Sequence, residues 1–121
     1  GVEAAIENVP EPFSFLLKSV EDFERFYSEL GGELGMVLDV AHANIRGETE
    51  KFLERLGKRI VHVHVSDNRG DEDTHFQVGL GTVRWAETVE GLKKIGFGGG
   101  VIIESYSGIK ESLRLLEKLI G

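Results

Sequence analysis

The sequence predicts an α/β protein: half of a (β/α)8 TIM barrel, made of four parallel βα units. Three observations carry that expectation. Four short runs of β-branched and aliphatic residues alternate with amphipathic segments, and strands separated by helices pair in parallel. Each run also ends on or beside a titratable side chain. At 121 residues, the chain is about half of the ~250 that usually close an eight-stranded barrel.

The runs are Val2 to Glu7, Met36 to Val40, Ile60 to Val65 and Val101 to Glu104. After the first, Leu16, Val20, Phe23, Tyr27 and Leu30 recur at helical spacing, with Ser19 as the expected N-cap and Gly31-Gly32 as the stop. Thr49 to Leu56 predicts a short helix that Gly57 ends. Thr82 opens a third helix with Trp85, Val89, Leu92 and Ile95 on one face and Gly96 at its close. Ser107 is the expected cap of a fourth, carrying Ile109, Leu113, Leu116 and Ile120. Right-handed crossovers put every helix on one side of a sheet that curls in one sense. Periodicity leaves an open, doubly wound four-stranded sheet as the rival architecture.

Composition narrows the function classes. The hydrophobic content of 40% allows one core, so residues 1–121 are read as a single unit. A formal charge of -7 repels phosphate backbones, which disfavours general nucleic-acid binding. No cysteine is present, so a metal would sit on oxygen and imidazole, and the expected compartment is the cytoplasm. No stretch approaches the ~20 apolar residues of a membrane-spanning helix. The chain starts directly in an expected strand, without methionine, and reads as a fragment of a longer one.

In parallel α/β folds the loops after the strands gather at one rim, so side chains at strand ends face a shared site. Here the ends supply Glu7, Asp39, His64 and Glu104. Any one of these carboxylates is explained by a helix cap or an arginine partner. Three acids and an imidazole around one small volume would repel without compensation, and a divalent cation is the simplest compensation. Three oxygens and one nitrogen suit Mn²⁺, Mg²⁺, Co²⁺ or Zn²⁺ alike.

Further polar groups lie nearby in sequence. His42 follows Asp39 by three positions and can face the same site as the strand turns into its loop. The long polar segment Ser66 to Gly81 holds Asp67, Arg69, Asp73 and His75, with Asp73-x-His75 suited to ligand or substrate contacts; a merely solvated loop is the plain alternative. His62 shares the strand face of His64 and is expected one layer deeper, buried and hydrogen-bonded.

Taken in order, Ile6-Glu7-Asn8, Leu38-Asp39-Val40-Ala41-His42, Val63-His64-Val65-Ser66-Asp67-Asn68, Asp73-Thr74-His75 through Gly79-Leu80-Gly81, and Ile102-Ile103-Glu104-Ser105 resemble the xylose-isomerase-like superfamily. That group includes sugar-phosphate isomerases/epimerases and endonuclease IV. The resemblance covers essentially the whole chain and corresponds to the last four βα units, the C-terminal half-barrel. It implies a divalent metal held by Glu7, Asp39, His64 and Glu104, with His42, Asp73 and His75 as further ligands in the multi-zinc branch.

In the epimerase branch it implies that Glu7 and Glu104 flank a sugar carbon, one removing a proton and the other returning one through a metal-stabilised ene-diolate. His42, Arg69 and His75 are then the expected contacts to a sugar or sugar phosphate. The Gly79-x-Gly81 segment carries no phosphate-binding weight. The first four strands of the family barrel are missing, so half of the pocket wall and two sheet edges are left open. A homodimer or a missing N-terminal half-barrel is the expected partner, and the isolated chain is expected to be inactive. The alternatives are a multi-zinc phosphodiesterase and a half-barrel folding module without activity.

Overall fold

Two side chains fix the first helix of the chain. Ser19 Oγ accepts the Asp22 backbone N–H at 3.1 Å, and Asp22 Oδ2 accepts from the N–H groups of Ser19 (3.1 Å) and Lys18 (3.0 Å). This is a reciprocal capping box with aspartate as the acid. The helix it starts, α1 (Val20–Leu30), buries Val20, Phe23 and Tyr27 as the spacing predicts. Leu16 lies outside it and is exposed.

The computed structural model describes residues 1–10, 16–30 and 32–121; the expected stop at Gly31 falls outside them. The strands are β1 (Ala5–Glu7), β2 (Gly35–Asp39), β3 (Ile60–Val65) and β4 (Gly100–Ile103). All pair in parallel in the order β1-β2-β3-β4. The remaining helices are α2 (Val40–Arg46), α3 (Thr49–Leu56), α4 (Trp85–Lys94) and α5 (Ile109–Ile120), with a 3-10 turn at Gly57–Arg59. Helix α1 lies against α3, α3 against α4, and α4 against α5, so these four form one layer. A doubly wound sheet needs helices on both faces. The single layer and the consecutive strand order make this half of a barrel.

One sheet face builds the core. Met36, Leu38, Val63 and Val65 are buried there against Phe23, Phe52, Trp85 and Leu116, and Phe23 meets Phe52 edge-on at 5.9 Å. On the concave face Val61 and Ile102 are about half exposed, at 49% and 47%. An irregularity in the β2–β3 pairing decides what points there. Met36 pairs with Ile60 but Val37 with His62, so Val61 is passed over. Asp39 therefore falls opposite His64.

Several boundaries differ from expectation. Only Ala5–Glu7 of the first run is strand, because pairing with β2 starts at Ala5↔Gly35. Val40 opens α2, a helix the sequence reading lacks, because Asp39 ends the strand as its N-cap by accepting from His42 N–H at 2.9 Å. Helix α3 runs from Thr49 to Leu56 with Gly57 as its C-cap, as expected, but Gly57 is right-handed and leads into the 3-10 turn. A Cβ there would lie 2.7 Å from Ile95 Cγ2, so close approach explains the glycine. Helix α4 starts at Trp85 rather than Thr82, and Gly108, not Ser107, caps α5. Glu104 lies just past β4, although its N–H still donates to Val65 O at 2.8 Å.

The cap yields a stability test. Ser19→Ala is expected to lower unfolding free energy by about 1 kcal/mol in urea denaturation. The N–H groups of Ser19 and Lys18 hold the Asp22 carboxyl below its ordinary range. The stability it adds is full above the unfolded-state pKa and is lost as pH falls through the lower folded value. Asp22→Asn should therefore be less stable than the parent at neutral pH and converge with it in acid.

Candidate metal centre

Each of the four strands delivers one side chain to the C-terminal rim. Glu7 ends β1, Asp39 ends β2, His64 is the penultimate residue of β3, and Glu104 follows β4. Each offers one ligand atom, and these atoms all lie within 4.8 Å of one another. In a flat sheet β1 and β4 would stand about 14 Å apart, three strand spacings. The curl of the sheet and the length of two glutamate side chains close that gap.

His64 presents Nδ1 to the group, 2.7 Å from Glu7 Oε1 and 3.3 Å from Glu104 Oε1. One ring proton cannot serve both carboxylates fully. Asp39 is almost wholly buried. Burial pushes its carboxyl up to about 7; the charges of Glu7 and Glu104 add to the rise, and His42 opposes it. Among the described residues the ion-pair partners of these acids are the imidazoles of His42 and His64, which carry charge only when protonated. The donor set and its mutual repulsion fit a divalent cation, which neutralises the acids without protons.

The other expected residues form a second group beside the first. His42 Nε2 and His75 Nε2 each lie 3.2 Å from Asp73 Oδ2. Their Nδ1 atoms face backbone carbonyls, Asn8 O at 2.7 Å and Glu104 O at 2.9 Å, so each Nδ1 is a donor and each Nε2 is left toward Asp73. Burial works against charge on His42, but Asp73 and Asp39 outweigh it and push its pKa up to about 9. His42 also stands 3.6 Å from Asp39 Oδ2 and so joins the two groups. Asp73 Oδ1 is buried without a hydrogen-bond partner among the described residues.

Arg69 is not drawn in. It is exposed, with its guanidinium 5.7 Å from the centre of the Phe76 ring. His62 shares the concave face with His64 as expected, and their rings meet edge-on at 5.4 Å. It is only half-buried, however, and its ring has no hydrogen-bond partner among the described residues, because the concave face lies open beside it.

Two residues at the site carry no role in the sequence reading. Asn8 is fully buried directly after Glu7. Tyr106, two positions beyond Glu104, stacks on His75 at 4.5 Å and donates its N–H to His75 O at 3.0 Å. That clamp holds His75 at a φ of 51°, a conformation that non-glycine residues seldom adopt. An alternation of two from the strand-ending glutamate was the available signal for Tyr106.

Four curled parallel strands with a carboxylate-rich rim define a half-barrel with a candidate divalent-metal centre. The family model for the xylose isomerase-like TIM barrel matches residues 1–119, and the chain belongs to that family. It is 32% identical over 123 residues to the uncharacterised protein MJ1311 of Methanocaldococcus jannaschii, covering 98% of this chain and 42% of that protein. The crystal structure of a D-tagatose 3-epimerase-like protein superposes with a TM-score of 0.83 at 29% identity, over 100% of this chain and 50% of that one. An IOLI protein crystallised with a zinc atom shares the fold, with a TM-score of 0.75 at 23% identity over 98% of this chain and 48% of its own. The chain thus spans about half the length of these relatives.

The loop that brings Asp73 and His75 to the rim is organised by Asp67, which is fully buried. Its Oδ1 accepts from the N–H groups of Asn68 (2.9 Å) and Val83 (3.2 Å), and its Oδ2 from Gly79 N–H (2.9 Å) and Trp85 Nε1–H (2.7 Å). Its backbone pairs both ways with Phe76 at 2.9 Å. The Gly79-x-Gly81 segment wraps this carboxylate; a Cβ on Gly81 would fall 2.2 Å from Asp67 Oδ1. Asp67→Ala strands four donors, so it should cost about 3 kcal/mol or more and speed amide exchange across residues 68–83. Denaturation and hydrogen exchange would measure both.

Proposed function

We propose that this chain is the C-terminal half of a metal-dependent sugar or sugar-phosphate isomerase/epimerase. The convergence of Glu7, Asp39, His64 and Glu104 carries the reading, and the likeness to a D-tagatose 3-epimerase-like protein supports the substrate class. A divalent cation held there would polarise the carbonyl and hydroxyl oxygens of a sugar and acidify the adjacent C–H. Glu7 ends one outer strand and Glu104 follows the other, and both carboxylates lie beside His64 Nδ1, at 2.7 Å and 3.3 Å. In this reading one of them takes a proton from a sugar carbon and the other returns one. Asp39 and His64 hold the centre between them. His42 and His75 offer polar atoms to substrate hydroxyls at the rim, and Arg69 is a contact only if its loop carries it inward. The cysteine-free composition fits a reducing cytoplasm; among the described residues no helix is long and apolar enough to cross a membrane.

The second reading is a multi-zinc phosphodiesterase of the endonuclease IV kind. The pairing of His42 and His75 through one Asp73 oxygen favours it, since two imidazoles and a carboxylate are a second ligand set beside the first. Metal analysis separates the two. One Mn²⁺, Mg²⁺ or Co²⁺ per chain supports the epimerase, whereas two or more tightly held Zn²⁺ support the nuclease. For the epimerase reading, Asp39→Asn and His64→Gln should each weaken cation binding at least ~10-fold in calorimetric titration, and failure of the parent chain to bind any divalent cation would sink it.

The concave face and the free edges of β1 and β4 call for four further strands, from an N-terminal half-barrel or a second copy. The chain of residues 1–121 on its own is expected to fold without turning over substrate, because its concave face is uncovered and orients and desolvates a sugar poorly. In sedimentation it should run as a dimer or larger; a folded monomer at micromolar concentration, or turnover of sugar phosphates by it, counts against this account.

A further inference from the structure

We infer that Asn8 is a positioning residue that sets the place of Asp39 relative to Glu7, and with it the cation affinity of the centre. The inference rests on the metal-centre reading above.

The β1 ladder is only three residues long and ends at Glu7↔Val37, so the pairing of β1 with β2 stops short of Asp39, whose ladder partner is His64 on the other side. Asn8 takes over where the ladder stops. Its side-chain amide acts as an extra peptide group: Oδ1 accepts from Asp39 N–H at 2.8 Å, and Nδ2 donates to Asp39 O at 3.1 Å. Both polar groups of the most deeply buried ligand's backbone are thereby tied to the residue next to Glu7. A third tie comes from the backbone, where Asn8 O accepts from His42 Nδ1–H at 2.7 Å. Asn8 is itself 0% exposed, so water cannot replace these bonds cheaply. Groups behind metal ligands commonly govern affinity by fixing ligand orientation.

Aspartate at this position has the same shape and opposite consequences by two arguments. Attraction between charges predicts tighter cation binding, because a fourth acid is added near three others. Positioning predicts weaker binding, because aspartate cannot donate to Asp39 O and sets an oxygen against it.

Titration with Mn²⁺ of the parent, Asn8→Asp and Asn8→Ala, scaled to the folded fraction from circular dichroism, decides between them. Both variants are expected to bind about 10-fold more weakly or worse per folded molecule. Equal or tighter binding by Asn8→Asp with a lowered melting temperature would show a purely structural role and overturn the inference. If Asn8→Asp does not fold, Asn8→Ser faces the same criterion. Absence of Mn²⁺ binding by the parent overturns the metal reading and this inference together, while equal binding by parent and variants overturns the inference alone.

Discussion

Parallel strands that curl in one sense carry their C-terminal ends to a common point, and in this chain each end bears a titratable side chain. Everything at the rim follows from that crowding. Glu7, Asp39 and Glu104 place three carboxylates around one imidazole, with Asp39 almost wholly removed from water. Such a set is stable only if charge is compensated, by protons, by His42 and His64, or by a cation. The site is thus electrostatically strained by construction, and the scaffold must hold the acids where repulsion would spread them.

Three devices do this. Asp39 doubles as the N-cap of α2, so its carboxylate is tied to the His42 N–H at the same time as it faces the centre. Asn8 prolongs the sheet by one amide beyond the β1 ladder. Asp67 gathers four N–H donors around a buried carboxylate and turns a long polar segment into a fixed support for Asp73 and His75. The left-handed backbone at His75 is held by Tyr106 through a ring stack and one hydrogen bond. Strain of this kind persists where surrounding contacts over-determine it, and here it aims an imidazole at Asp73.

The two groups of candidate ligands are not independent. His42 touches both, through Asp39 on one side and Asp73 on the other. A change at Asp73 would therefore reach Asp39 through a single ring.

The order of the strands and of the helices other than α2, the buried stripe of α1, the Ser19 cap and the four rim residues were legible in the residues, because hydrophobic period and strand-end position are local properties of a chain. The helix α2 was hidden: Asp39 reads equally as a strand end and as a cap, and only its bond to His42 N–H decides. The roles of Asn8, Asp67 and Tyr106 were hidden as well, since each acts on partners 31 or more positions away or on a loop whose path no periodicity describes. Tertiary structure alone set the passed-over Val61, which turns His64 rather than Val63 toward Asp39. It alone set the curl that brings Glu7 to Glu104, because register and curvature are properties of paired strands and have no counterpart in a single one.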